Sequence, residues 1–259
     1  MKQTIRAVTA LMLTVTLFTA ACKKKDPDPQ PATPAEKGSV EIRLDSRAGI
    51  EPLVLNSSWY LNENGDSFQV SKFSYYLSNI RLHTKDGSVY TEQESYHLVR
   101  QEDPSSLKFT LANVPAGNYT SVSFMIGVDS IRNVSGAQTG ALAQEHGMFW
   151  DWNSGYIMAK FEGSSPQSPN GGIMYHIGGF SGEHNALRTV TLDFPNEIPL
   201  NGGKGSVVIN ADLLEWFRTP HLIDFSALPT IHMPGANARK ISENYAGMFK
   251  VAMVSYPVE

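Results

Sequence analysis

Short runs of alternating apolar and polar residues recur along this chain, separated by Gly, Pro, Asn and Asp, and they limit the fold more than any other feature. In SVEIRLD, Val40, Ile42 and Leu44 alternate with Glu41, Arg43 and Asp45. That is the period of a half-buried strand, because successive side chains on extended backbone point to opposite faces. FSYYLSNIRLHTKDGSVYTE reads as a strand, a tight turn at Asp86-Gly87 and a returning strand, since Asp-Gly supplies the positive φ angles that hairpin turns need. SYHLVR, SLKFTL, YTSVSFMIGV, YIMAKFEG, GIMYHIGG, RTVTLDF, GSVVINADL and FKVAMVSY are further strand candidates. Only the stretch from Ala238 to Met248, with Tyr245 and Met248 three apart, suits a short helix. Eight or more strands with turns between them indicate an antiparallel sandwich or a partly open barrel. The expected fold is all-β: a single antiparallel β-sandwich with long irregular loops and a short C-terminal helical segment. No internal repeat divides it, and residues 39–259, about 220 in all, suffice for one buried core.

Two loops are longer than connection requires. Residues 129–147 and 163–172 are rich in small residues and bracket HGMFWDWNSGYIMAK, residues 146–160, which holds two of the four tryptophans. Loops of this length on a compact β scaffold are more often functional than connective.

The N-terminus is a separate regime. Lys2 and Arg6, an apolar stretch from Ala7 to Phe18 and the small residues before Cys22 have the three regions of an export signal. Cys22 directly after Ala20-Ala21 resembles a bacterial lipobox, in which it becomes the acylated first residue; the alternative is an ordinary signal peptide. The expected organisation is a signal over 1–21, a tether over 22–38 from lipidated Cys22, and the folded domain. Rich in Pro and charge, the tether has almost nothing to bury and stays extended. Cys22 is the only cysteine, so a lipidated chain has no thiolate ligand and any metal site is built from His, Met, carboxylates or carbonyls. Without residues 1–21 the chain carries 19 basic against 25 acidic residues, a net charge of −6. Nucleic acid is excluded as a partner, because no basic stripe exists to neutralise phosphates.

If residues 146–152 are extended, His146, Met148, Trp150 and Trp152 share one side. In GIMYHIGG, Met174 and His176 share a face in the same way, and His232-Met233 is a third juxtaposition. Thioether sulfur is soft and imidazole borderline, a combination that favours Cu(I) over Mg, Ca or Mn. A packing reading stands beside this one: methionine fills cores against aromatic rings, and paired tryptophans form aromatic cores or binding platforms. Enzyme signatures are missing. No HExxH, phosphate-cradling or dinucleotide motif occurs, and Ser181 in GGFSGEHNA lacks the glycine spacing of a nucleophile elbow. His184 reads as a loop residue before RTVTLDF, and Asp151 as a turn cap with Asn153 or a residue orienting a ligand histidine.

The blocks SKFSYYLSNIRL, YHLV, PAGNYTSVSFMIGVDSIRNVSGAQTGAL, GMFWDWNSGYIMAKFEG, MYHIGGFSG and ENYAGMF resemble, in order, the MbnP-like copper-binding domain family in its Bacteroidetes lipoprotein branch. The resemblance runs from about Val40 to the C-terminus. It implies an extracytoplasmic, mainly β, non-enzymatic protein that binds copper, with a tryptophan oxidised to kynurenine by a partner of the dihaem cytochrome peroxidase type and histidines beside it. His176 matches the family's His-x-Gly block, and Trp150 and Trp152 match its Trp block. His97, His146 and His232, with Met148 and Met174, complete the candidate ligands. Lysines directly after Cys22 resemble export signals of surface lipoproteins, which implies an outer-membrane lipoprotein, periplasmic or surface-exposed. Two departures stand out: no cysteine follows the His-Gly segment, and no Trp-x-His arrangement surrounds Trp150. The rival expectation is an interaction module, a β-sandwich whose exposed aromatics contact a glycan or a partner outer-membrane protein.

Overall fold

The computed structural model describes residues 36–136, 138–152 and 155–257. The expected signal over 1–21, Cys22, nearly all of the tether and Asn153 therefore lie outside the described residues.

The described strands form two sheets. The smaller holds β1 (Gly38–Ala48), β2 (Glu51–Pro52), β7 (Lys108–Val114), β13 (Lys204–Asp212) and β15 (Phe249–Ser255). Its order is β15-β13-β1-β2, with β7 also on β1. The larger holds β3 (Trp59–Leu61), β4 (Ser67–Thr84), β5 (Val89–Thr91), β6 (Tyr96–Arg100), β8 (Gly117–Ile126), β9 (Phe149–Trp150), β10 (Gly155–Ser164), β11 (Gly172–Gly178), β12 (Arg188–Leu200) and β14 (Thr230–Ile231). Its path is β12-β8-β4-β10-β11-β14. Two α-helices accompany them, α1 (Ser130–Val134) and α2 (Ala236–Tyr245).

The all-β sandwich holds, but the sheets are mixed. β1 runs parallel to β13 from Ser39 against Lys204 to Arg47 against Asp212, and β11 is parallel to β14. Alternation in a sequence reports which face a residue takes and is blind to strand direction; parallel neighbours need a long crossover. Here the chain leaves β1 and threads most of the larger sheet before it returns as β13.

The core lies between the sheets. Val40, Ile42 and Leu44 of β1 and Val207 and Ile209 of β13 are buried against Phe73, Tyr75 and Leu77 of β4 and Phe161 of β10. Edge-on aromatic contacts such as Phe161–Phe217, 5.4 Å between centroids, add to area burial. α2 closes one end through Ile241 and Tyr245, and the Tyr245 hydroxyl donates to the Ala186 carbonyl at 2.7 Å.

A second apolar cluster sits on the opposite, outer face of the larger sheet. Tyr76, Leu98, Tyr156 and Met158 from the strands meet Leu142, Met148 and Trp150 from the covering segment. An antiparallel sheet with one buried face leaves the other to solvent or a cover. Here residues 129–136 and 138–150 are the cover.

Candidate functional site

Side-chain hydrogen bonds hold that cover to the sheet. Asp129 caps α1, its carboxylate accepting from Arg132 N at 3.1 Å. Buried Asn133 donates to the Val128 carbonyl at 2.6 Å and accepts from Tyr156 N at 2.9 Å. The hydroxyls of Tyr76 and Tyr156 donate to the carbonyls of Ala141, 3.1 Å, and Leu142, 2.7 Å. The Lys160 ammonium donates to the Gly147 carbonyl.

Residues 146–152 are not extended throughout, which corrects the premise that put four of their side chains on one side. Gln144–His146 is a 3-10 turn that ends at Gly147 with φ +66°, a conformation that favours glycine. Only Phe149–Trp150 is strand, pairing with Gly155–Tyr156 of β10. Met148 and Trp150 are buried, Trp152 is 60 % exposed, and His146 bonds back to the Gly140 carbonyl at 3.0 Å. The two indoles remain close, 5.7 Å between centroids.

The Trp150 ring lies over Gly178, the last residue of β11. A Cβ built there would stand 2.3 Å from Trp150 Cζ3 and 2.6 Å from Cη2, so only glycine admits the indole at this height. Beyond it opens a cavity of about 260 Å³ lined by Trp150, Gly155, Tyr156, Gly179, Phe180, Ser181, His184 and Pro234. Pro234 also lines a second hollow with His232 and Met233.

The candidate ligands do not converge on one point. Met174 and His176 share the outer face of β11, as their period predicts, since Ile173, Tyr175 and Ile177 face the core. His176 lies cross-strand from Lys160, and Met174 from Glu162. The His176 Nε2–H donates to Glu162 Oε1 at 2.8 Å. Burial pushes the imidazole below its ordinary range, the Glu162 bond opposes that, and the Lys160 charge adds to the lowering. Burial likewise pulls the Lys160 ammonium downward. His97 pairs with core-facing Leu77, on the other face of the sheet from His176. Its ring stacks on Phe109 at 3.7 Å and bonds Glu92 at 2.9 Å. Met148 is packed in the apolar cluster, and His232 is exposed on the turn before α2. Among the described residues, no three His, Cys, Asp or Glu side chains are grouped to hold a metal. His184, read from the sequence as a loop residue, is the histidine that shares a cavity with Trp150. Its position after the paired glycines of HIGGFSG is the sequence signal that could have found it.

The family model for MbnP matches residues 37–233. Among solved structures, MbnP from Methylosinus trichosporium is similar with a TM-score of 0.55 at 15 % identity, covering 78 % of this chain and 83 % of that one; at that identity the likeness concerns the fold. No curated protein matches.

Proposed function

Because the chain belongs to the MbnP family, we propose that it is a carrier that takes copper as cargo, as Cu(I), for sequestration or delivery and without turnover. The observation that carries this reading is the Trp150 indole seated on Gly178 with His184 lining the cavity beside it. His184 is exposed, and among the described residues its side chain makes no hydrogen bond, unlike the engaged rings of His97 and His176. The turn carrying His232 and Met233 reaches the same cavity at Pro234. Imidazole and thioether donors suit a soft monovalent cation and not the hard ions Mg or Ca.

In this reading Trp150 is the residue converted to kynurenine, because it lines the cavity with His184, and a partner of the dihaem cytochrome peroxidase type performs the oxidation. Export through residues 1–21 and lipidation at Cys22 would tether the domain to the outer membrane, on the periplasmic or outer side. A second reading, an interaction module, is favoured by one observation: Trp152, Ile131 and Val134 are 60 %, 75 % and 71 % exposed. They lie on the segment that borders the cavity, where a partner protein would meet them.

The test is copper retention against a Cu(I) chelator under reducing conditions. His184→Ala should lose at least half of the bound equivalent and His176→Ala should keep it. Full retention by His184→Ala would remove the cavity from consideration. Intact mass of protein purified from its native host reads the state of Trp150, because a foreign host lacks the oxidising partner.

A further inference from the structure

His184 stands at the end of a turn that is held from outside. Gly182–His184 is a single 3-10 turn without a side-chain cap, too short to satisfy its own carbonyls. Each carbonyl from Glu183 to Ala186 is fixed by a neighbour. Arg239 Nη1 donates to the Glu183 carbonyl at 3.4 Å, Arg188 Nη1 to the Asn185 carbonyl at 3.0 Å, and the Tyr245 hydroxyl to the Ala186 carbonyl at 2.7 Å. The His184 carbonyl oxygen packs on Gly179, where an added Cβ would stand 2.4 Å from it. The Gly179 carbonyl in turn accepts from Ala186 N at 2.9 Å.

One carboxylate joins the two arginines. Glu243 Oε1 lies 3.2 Å from Arg239 Nε and 3.8 Å from Arg188 Nη2, and Oε2 is 2.6 Å from His221 Nε2. The His221 bond, and then the charges of Arg239 and Arg188, hold the Glu243 carboxyl below its ordinary range against the opposing effect of burial. Arg239 and Glu243 are neighbours on one face of α2, at the spacing that favours an ion pair.

We propose that Glu243 is a positioning residue for His184: it aims the two guanidiniums that grip the carbonyls on either side of His184, and the gripped backbone fixes where that residue meets the cavity. Untied, either arginine would spread over many rotamers. Held by the carboxylate, each keeps its planar fork directed at the turn. Part-exposed ion pairs are individually weak, so the effect comes from two of them converging on one turn. α2 follows the residues that the family model matches, and the match does not describe this clamp. Only its consequence for the cargo rests on the copper reading, because the grip on the turn exists without metal.

The experiment uses the full chain without copper and follows the Ala186 amide by hydrogen exchange, since that N–H closes the turn on Gly179. The Ile157 amide, bonded to the Met148 carbonyl, is the reference. Glu243→Gln should speed exchange at Ala186 roughly fivefold, the scale of a small ion-pair network, and leave Ile157 as in the parent. Arg188→Met with Arg239→Met should do the same. Adding Glu243→Gln to that pair should add nothing, because a group that acts through the arginines is silent without them. A folded Glu243→Gln with parental exchange at Ala186 would overturn the proposal, as would an effect that adds in full to that of the arginine pair. If glutamine loosens the whole domain, Ile157 exchanges faster too, and Glu243→Asp, which keeps the charge and shortens the reach, is held to the same two outcomes. Cu(I) release to a chelator separates the two readings. It should quicken by a similar factor in Glu243→Gln; faster exchange with unchanged release would uphold the clamp and count against copper at His184.

Discussion

Replacing Gly178 by alanine adds one methyl group to a place already occupied. The new Cβ would lie 2.3 Å from Trp150 Cζ3, 2.6 Å from Cη2 and 3.1 Å from the Tyr156 carbonyl oxygen. Carbon atoms pack at about 3.5–4.0 Å, so the indole must retreat by roughly an ångström. It cannot do so by turning a flexible tail, because the ring is rigid and its strand is paired to Gly155–Tyr156. Overpacking of this kind costs about 1–3 kcal/mol. For a domain of this size each kcal/mol lowers the melting temperature by about 2–4 °C, so the expected fall is roughly 2–12 °C. Gly172→Ala is the control: it sits on the same strand and the same outer face, where the nearest neighbour of an added Cβ is 3.9 Å away. Thermal unfolding of both variants, with tryptophan emission and Cu(I) retention measured alongside, tests the reasoning. Gly178→Ala should melt lower, shift the Trp150 emission and weaken copper retention; Gly172→Ala should do none of these. A Gly178→Ala protein that melts within a degree of the parent with unchanged emission would refute the seating of Trp150 on this glycine.

The two neighbouring tryptophans should behave differently on truncation. Trp150→Ala removes a buried indole and should cost about 3–5 kcal/mol, whereas exposed Trp152→Ala should stay within about 0.5 kcal/mol; urea unfolding measures both. His176 should make stability depend on pH. Burial lowers its pKa in the folded state below the ordinary 6.5, so as pH falls through 6.5 the unfolded chain takes up a proton first and stability declines toward the folded value. Urea midpoints at a series of pH values should show that decline in the parent and a flatter profile in His176→Gln.

Much of the sandwich was legible because its signal is local. Val40, Ile42 and Leu44 are all buried, as alternation requires, and Gly87 takes φ +88° in the turn between β4 and β5. The helix near the C-terminus is present as Ala236–Tyr245. The site was less legible, because it is made by a loop folding back on a sheet. Period two placed Met174 and His176 on one face correctly, but it said nothing of what would cover that face. Nothing in the YIMAKFEG pattern signals that Lys160 is covered. It is 7 % exposed only because Gly147, some dozen residues earlier, turns its carbonyl inward. Gly147 in turn has a left-handed backbone, with His146 bonding back to Gly140 on one side of it and Met148 and Trp150 packed inward on the other.

What was not legible has one physical origin, the partners that the covering segment needs on the sheet. The covering segment needs partners on the outer sheet face for its turned-in carbonyls, since an unpaired buried carbonyl costs as much as a lost hydrogen bond. Tyr76, Tyr156 and Lys160 supply them. A cation-binding cluster at the same spot would compete for those carbonyls and bring a second positive charge against the lysine. The face that anchors the cover is therefore the wrong place for a soft cation. The indole that the cover delivers over Gly178, and the cavity it borders with His184, lie past the end of β11, where no anchoring lysine intrudes.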